Sequence, residues 1–331
     1  MKLTALELHA ALQSRGLVDA ELDTSDAAPP PDRPLAIGLL LGVSGWVAGI
    51  FMLLFVALLF RPDSAAAAAF SGLVLLAAAW GLFKVDGDGA QVFVAQLALA
   101  LSIAGQCLML YAMSEHTHGI APIASAALVL QTVIALLMPN RLQRTLSTFF
   151  AAIAWALTVR FALVGEPESW RASVERPGVS VPVALVGWVT TWAPFVAGLW
   201  WLIRSEPLWM ARGWQPVLRP IVTGLIIGLA FATLASHPFE SFRWFGSGEA
   251  DAGGLALWPL LSAAGALAAT AAAFALRQRG LMALCVVATI AHLSHFYYVL
   301  GTSLLVKSIL MLAMGGALLL TERLLADKEP A

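Results

Sequence analysis

Ten apolar segments divide this chain, most of them close to the ~20 residues that an α-helix needs to cross bilayer hydrocarbon. That pattern leaves few folds open. In hydrocarbon every backbone N–H and C=O must be bonded internally, which helices achieve segment by segment. The expected fold class is therefore all-α, a polytopic membrane helical bundle of about ten transmembrane helices. Charged residues make up only 12% of the 331 positions and hydrophobic residues 60%, against about 25% charged in an average soluble domain. A soluble globular fold and a disordered chain are both excluded.

The predicted spans are Leu35–Phe60, Ala65–Phe83, Val92–Met113, Ile120–Met138, Leu146–Val164, Val181–Ile203, Ile221–Ser236, Leu255–Leu276, Leu281–Leu300 and Ser303–Leu320. Only Gly301-Thr302 joins the last two, which requires a tight antiparallel pair. Together they form a transmembrane domain over residues 35–323, followed by a short cytoplasmic tail at 324–331. Before it, residues 1–23 are expected to form a cytoplasmic amphipathic helix. Thr4 and Glu7 make a capping box there, and Leu6, Leu8, Ala11 and Leu12 make a partial apolar stripe. That helix either docks a partner or rests on the membrane domain. Residues 24–34 (TSDAAPPPDRP) read as an extended proline-rich spacer. The first 34 residues hold six carboxylates and no apolar core, so no cleavable signal peptide is expected.

Lys and Arg set the orientation, because cytoplasmic connections carry them in excess. With ten spans, thirteen of them fall on the side shared by both termini and four on the other, with Arg160 and Lys307 inside spans. Both termini are thus expected in the cytoplasm, and the protein in the bacterial inner membrane as a multi-pass chain. The net charge of −1 argues against nucleic acid as a partner; the lipid bilayer is the expected one. Cys107 and Cys285 both lie in apolar spans and read as buried thiols, not as a disulfide or a zinc site.

The spans contain no Asp or Glu, no phosphate-binding glycine loop and no nucleophile elbow, so no catalytic residue, cofactor or metal is assigned. Small residues four apart (Gly38/Gly42, Gly45/Gly49, Gly224/Gly228) allow close helix approach, either between subunits or within one bundle. Pro194 should bend the sixth span and release a backbone carbonyl. The tryptophans near span ends, such as Trp201, Trp209 and Trp214, fit an interfacial belt. Gly45-Trp46-Val47 recurs as Gly187-Trp188-Val189, but one tripeptide does not make an inverted repeat.

The ninth span carries most polar information. At 100° per residue, Cys285, Thr289, His292, His295 and Phe296 share a face. The two histidines either bind a metal, for which no third-ligand pattern is present, or relay a proton, or bond to a neighbouring helix. By topology Arg160, His237, His292, His295 and Lys307 all fall in the outer half of the membrane or at its outer surface. They are candidates for a polar outer vestibule, or are separate snorkelling side chains. Lys307 is expected to turn toward His295, Tyr297 or Tyr298.

The carboxyl-terminal stretch HFYYVLGTSLLVKSILMLAMGGALLL, with Leu304, Leu305, Lys307, Ser308 and Gly315, resembles the ending of the bacterial domain of unknown function 4401 family. The start is similar too: LHAALQSRGLVDAE, a proline-rich spacer, then GLLLGVSGWVAGIFMLLF. The resemblance implies an uncharacterised integral membrane protein. It also implies two partners, a second multi-pass protein and a protein with a GDYxxLxY-type domain. Three functions stay open: a non-enzymatic subunit or scaffold of a membrane assembly, a transporter of a small or lipid-like molecule, and an intramembrane enzyme using the ninth-span histidines. The topology has a direct test. Single cysteines placed near His118 and Arg243 should react with an impermeant maleimide from outside intact cells, and cysteines near Arg141 and Arg277 should not. External labelling of the 277–280 turn contradicts the ten-span arrangement.

Overall fold

The computed structural model describes residues 35–60, 64–86, 92–115, 117, 119–164, 181–235, 258–299 and seven positions between 305 and 316. The expected amino-terminal helix, the spacer and the tail lie outside the described residues. Within them the backbone is helical apart from short turns, with no strand. The elements are α1 (Leu35–Phe60), α2 (Ala65–Asp86), α3 (Val92–Ser114), α4 (Ile120–Leu137), α5 (Arg141–Val164), α6 (Val181–Arg204), α7 (Glu206–Ala211), α8 (Gln215–Ala235), α9 (Trp258–Ala275) and α10 (Arg279–Val299). Among the described residues, five stretches are long and apolar enough to cross a membrane: Ala65–Val85, Phe93–Ser114, Ile120–Leu137, Arg141–Leu163 and Val186–Arg204. Shorter apolar helices run over Val43–Met52, Gln215–Phe231, Ser262–Ala275 and Arg279–Ser294. Helical backbone recurs at Leu305, Val306, Ser308, Ile309, Leu312, Gly315 and Gly316, inside the expected tenth span.

Two helices start a full turn or more earlier than hydropathy alone predicts. α5 begins at Arg141, not Leu146, because Asn140 Oδ1 accepts from the backbone N–H groups of Leu142 and Gln143 at 2.8 and 3.1 Å. α8 begins at Gln215, not Ile221, since a proline at 216 is tolerated in a first turn whose N–H groups have no intrahelical acceptor. Between α6 and α8 lies the short α7, which sequence reasoning did not separate from its connection. Gly213 ends it at φ 72°, with Trp214 N–H bonded back to the Trp209 carbonyl at 3.0 Å. The α9–α10 turn uses the same device at Arg277, φ 53°, where Gln278 N–H reaches the Ala273 carbonyl at 3.2 Å.

Glycines set the packing. A Cβ on Gly224 would stand 2.5 Å from the Thr145 carbonyl oxygen and 2.7 Å from Thr148 Cβ. One on Gly228 would stand 2.6 Å from Ala152 Cβ. The register from 224 against 148 to 228 against 152 runs in the same sense, so α5 and α8 are parallel. α1 and α3 repeat the arrangement: Gly45 lies against Gln96 and Gly49 against Ala100. The Gly45/Gly49 and Gly224/Gly228 pairs therefore pack helices inside one chain; the side-chain surroundings of Gly38 and Gly42 lie outside what is described. Gly72 and Gly105 instead approach each other's carbonyl oxygens across the antiparallel α2–α3 pair. Hydrogen bonds give the other directions. Gln106 with Gln131 and Ser125 with Thr158 fit antiparallel α3–α4 and α4–α5 pairs, and Thr270 with Thr289 an antiparallel α9–α10 pair.

The long helices thus alternate in direction, and the alternation sorts the charges. Lys84, Arg141, Arg144, Arg204, Arg212, Arg219, Arg277 and Arg279 all fall at the end where α3, α5, α8 and α10 begin; of the described Lys and Arg residues only Arg160 lies toward the other. Lys84 Nζ sits 5.3 Å from the Trp80 ring centroid and the Arg204 guanidinium 5.2 Å from that of Trp200, pairing cation with indole at this basic end. The largest core joins Trp192 and Leu199 of α6 to Val222, Ile226 and Leu229 of α8, Ala269 and Ala273 of α9 and Cys285 of α10. A second cluster ties Phe83 of α2 and Leu99 of α3 to Ile134 of α4.

The seam between α5 and α8 has a measurable consequence. Gly224→Ala should cost about 1–3 kcal/mol, because backbone stands where the methyl must go. Gly81→Ala, whose added methyl meets nothing within 4 Å, should stay within about 0.5 kcal/mol of wild type. Unfolding midpoints in mild detergent distinguish the two, and equal midpoints contradict the close seam.

Candidate functional site

The prolines of α6 and α8 define the site. Each lacks the N–H that the carbonyl four residues earlier would accept. In α8, Pro220 leaves the Pro216 carbonyl free, and Arg144 Nη1 donates to it at 2.9 Å. The Pro220 carbonyl in turn accepts from Thr145 Oγ1 at 3.3 Å. In α6, Pro194 deprives Thr190, and one residue on Trp155 Nε1 donates to the Thr191 carbonyl at 3.0 Å. Side chains of α5 therefore bind the carbonyls beside both breaks. Pro194 and the residues after it border a space.

That space is a cavity of about 380 Å³ between α4, α5, α6 and α8. Leu128, Thr132, Ala135 and Leu136 line it from α4, and Thr148, Ala151, Ala152 and Trp155 from α5. Pro194, Phe195 and Gly198 of α6 and Ile221 and Leu225 of α8 complete it. The gap arises where helix packing loosens. α5 lies tight against α4 and α8, whereas α6 meets α5 less extensively and presents Gly198, beside which a Cβ would meet nothing within 4 Å. The lining is hydrocarbon almost throughout. Its hydroxyls turn back onto their own helices, Thr132 onto the Leu128 carbonyl and Thr148 onto the Arg144 carbonyl, each at 2.8 Å. Leu136 and Pro194 are exposed, so the cavity opens sideways as a groove on the apolar flank of the bundle.

Arg144 stands one turn, ~6 Å, beyond Thr148 on the same face of α5, at the basic end. It is half-buried, and apart from Pro216 its guanidinium has no partner among the described residues. Its Nε lies buried without an acceptor, a state that costs about 1–3 kcal/mol for a polar group. Trp201, 65% exposed, lies on α6 one turn past Gly198 at the same end.

Elsewhere polar side chains bond both within and between helices. Gln131 Nε2 donates to Gln106 Oε1 at 2.7 Å, and Gln106 Nε2 to Ser102 Oγ at 3.0 Å. Trp46 Nε1 donates to Gln96 Oε1 at 3.0 Å, linking α1 to α3. Sequence reasoning passed over these glutamines because it searched the spans for charges and histidines. Their signal was present, as amides inside apolar segments that need a partner.

Of the residues expected to form an outer vestibule, two are described with their side chains. His292 is 1% exposed on α10, with Nε2 2.9 Å from the Ala230 carbonyl of α8. Arg160 is partly buried near the end of α5, its guanidinium 5.8 Å from the Phe161 ring centroid. Both lie toward the end opposite the basic one, on helices that each pack against α8. His237, Lys307 and the side chain of His295 lie outside the described residues, so the expected approach of Lys307 to His295 does too. Among the described residues no three of His, Cys, Asp and Glu cluster as a metal site would require. Cys285 is buried and Cys107 exposed, so the reading of two buried thiols holds for the first and is corrected for the second. Cys107 follows Gln106 on α3, and the turn that points Gln106 inward at Gln131 points Cys107 out.

No curated protein and no solved structure matches the chain. The sequence profile of a domain of unknown function, DUF4401, does match, over residues 34–247 and 251–328. The match takes in GLLLGVSGWVAGIFMLLF and the carboxyl-terminal stretch, though not LHAALQSRGLVDAE ahead of them, and the chain belongs to the DUF4401 family.

Proposed function

We propose that this protein is a ten-span bacterial inner-membrane protein with both termini cytoplasmic, and that it acts as a non-enzymatic component of a membrane assembly. The observation that carries this reading is the use made of its buried polar groups. Gln106 with Gln131, Trp155 with the Thr191 carbonyl and His292 with the Ala230 carbonyl each bond one helix to another, across low-dielectric surroundings where an unpaired group is costly. Such a core holds a shape. Clustering of basic residues at one end supports the orientation, that end being cytoplasmic. α1 supports the assembly role. Its glycine side packs on α3, while Leu40, Phe51, Phe55 and Leu58 stay exposed at 56–74%, a broad apolar face for lipid or a partner helix. The family resemblance adds the expected partners, a second multi-pass protein and a GDYxxLxY-type protein.

One observation favours a second reading, transport of a lipid-like molecule: the apolar groove beside Pro194. Purification of the tagged full chain in mild detergent separates the two. A stoichiometric complex that survives size exclusion supports the assembly component. A lone chain that moves fluorescent lipid between leaflets of proteoliposomes supports the carrier and contradicts the assembly reading.

A further inference from the structure

We propose that the groove between α4, α5, α6 and α8 is a binding site for one anionic glycerophospholipid, with an acyl chain in the cavity and the phosphate on Arg144. The inference rests on the membrane-embedded reading above, and on neither the assembly nor the carrier role. Three observations choose the occupant. First, the groove opens on the apolar flank of long apolar helices, where the solvent is acyl chain, and its threonine hydroxyls are already bonded to their own backbones. An apolar, flexible chain fits that lining and a polar solute does not. Second, the polar complement sits at one end only. Arg144 lies one turn beyond Thr148 on the same helix face, with a single donor engaged by Pro216. A guanidinium carries five N–H donors in a fork suited to phosphate. Third, this is the end where the described basic residues gather and where the exposed Trp201 continues the line of Pro194 and Gly198, as a tryptophan does at headgroup depth. Basic pockets between membrane helices at such a surface hold anionic headgroups. Arg144 thus serves two acceptors at once, the carbonyl released by Pro220 and the lipid phosphate.

Native mass spectrometry of the full-length protein, titrated with phosphatidylglycerol or phosphatidylcholine, tests this. Wild type should retain one phosphatidylglycerol at collision energies that strip the rest. Arg144→Gln should weaken phosphatidylglycerol retention about fivefold, the worth of one basic contact at a membrane surface, and leave phosphatidylcholine unchanged. Arg144→Lys, which still donates to Pro216 and keeps the charge, should restore most of it. Gly198→Trp, filling the cavity, should abolish the retained lipid while the unfolding midpoint stays within a few degrees. Equal phosphatidylglycerol retention in wild type and Arg144→Gln overturns the headgroup assignment. Undiminished retention in Gly198→Trp overturns the acyl-chain assignment. Arg141→Gln, at an exposed neighbour, serves as the charge control, and an equal loss there shows nonspecific surface attraction and overturns the site. Failure of the protein to partition into membranes would instead remove the reading on which the site rests.

Discussion

The close approach of α5 and α8 is the contact on which the larger half of the molecule depends. Two glycines four residues apart on α8 let its backbone settle onto Thr148 and Ala152 of α5. Between helices in hydrocarbon no hydrophobic force distinguishes protein from solvent, so dispersion and hydrogen bonding must hold the pair. Close backbone approach maximises the first. The second comes from Arg144 and Thr145, which bind the carbonyls beside Pro220. α5 also carries Trp155 to the Thr191 carbonyl of α6 and packs along α4. One helix therefore serves as a post around which α4, α6 and α8 are placed.

Proline fixes the contacts that α5 makes with α6 and α8. In water a released carbonyl would be hydrated. In an apolar surrounding it must find a donor or the helix must distort. α5 supplies the donors, and the carbonyls of α6 and α8 that need them are fixed in position as a result. The space that remains runs from Trp155, bonded to the Thr191 carbonyl, to Thr148, one turn short of Arg144, with hydrocarbon between. Chain sequence, backbone chemistry and groove are linked by that short set of residues.

Much of this was legible in the sequence, for physical reasons. Helix existence followed from length and apolarity: each of the first nine expected spans overlaps a described helix, and five of the described helices are long and apolar enough to cross a membrane. The Gly45/Gly49 and Gly224/Gly228 spacings pointed to close packing, and Pro194 to a break in the helix's own hydrogen bonding. Helix starts were less legible. Polar first turns at Arg141 and Gln215 have low hydropathy, yet they are helical because Asn140 caps one and a proline is tolerated in the other. The glutamines escaped because a neutral amide leaves little mark on hydropathy. The groove was invisible for a deeper reason. It comes from a glycine on α6 facing a stretch of α4 remote in sequence, and no local pattern encodes that juxtaposition. In the sequence Arg144 is one more basic residue in a short connection between apolar segments; only the register of α5 against α8 shows it bonding a carbonyl 72 residues away.

The parallel register of α5 and α8 is the claim from which the proline contacts, the groove and the alternation of direction all follow. Cysteine crosslinking in native membranes measures it directly, in a chain with Cys107 and Cys285 replaced by serine. Thr145→Cys paired with Pro220→Cys joins positions whose side-chain oxygen and carbonyl oxygen lie 3.3 Å apart. That pair should oxidise rapidly to an intramolecular disulfide, while Thr145→Cys with Phe231→Cys, at the far end of α8, should remain reduced. Rapid crosslinking of 145 to 231, with none to 220, would mean that the two helices run antiparallel and would contradict the account.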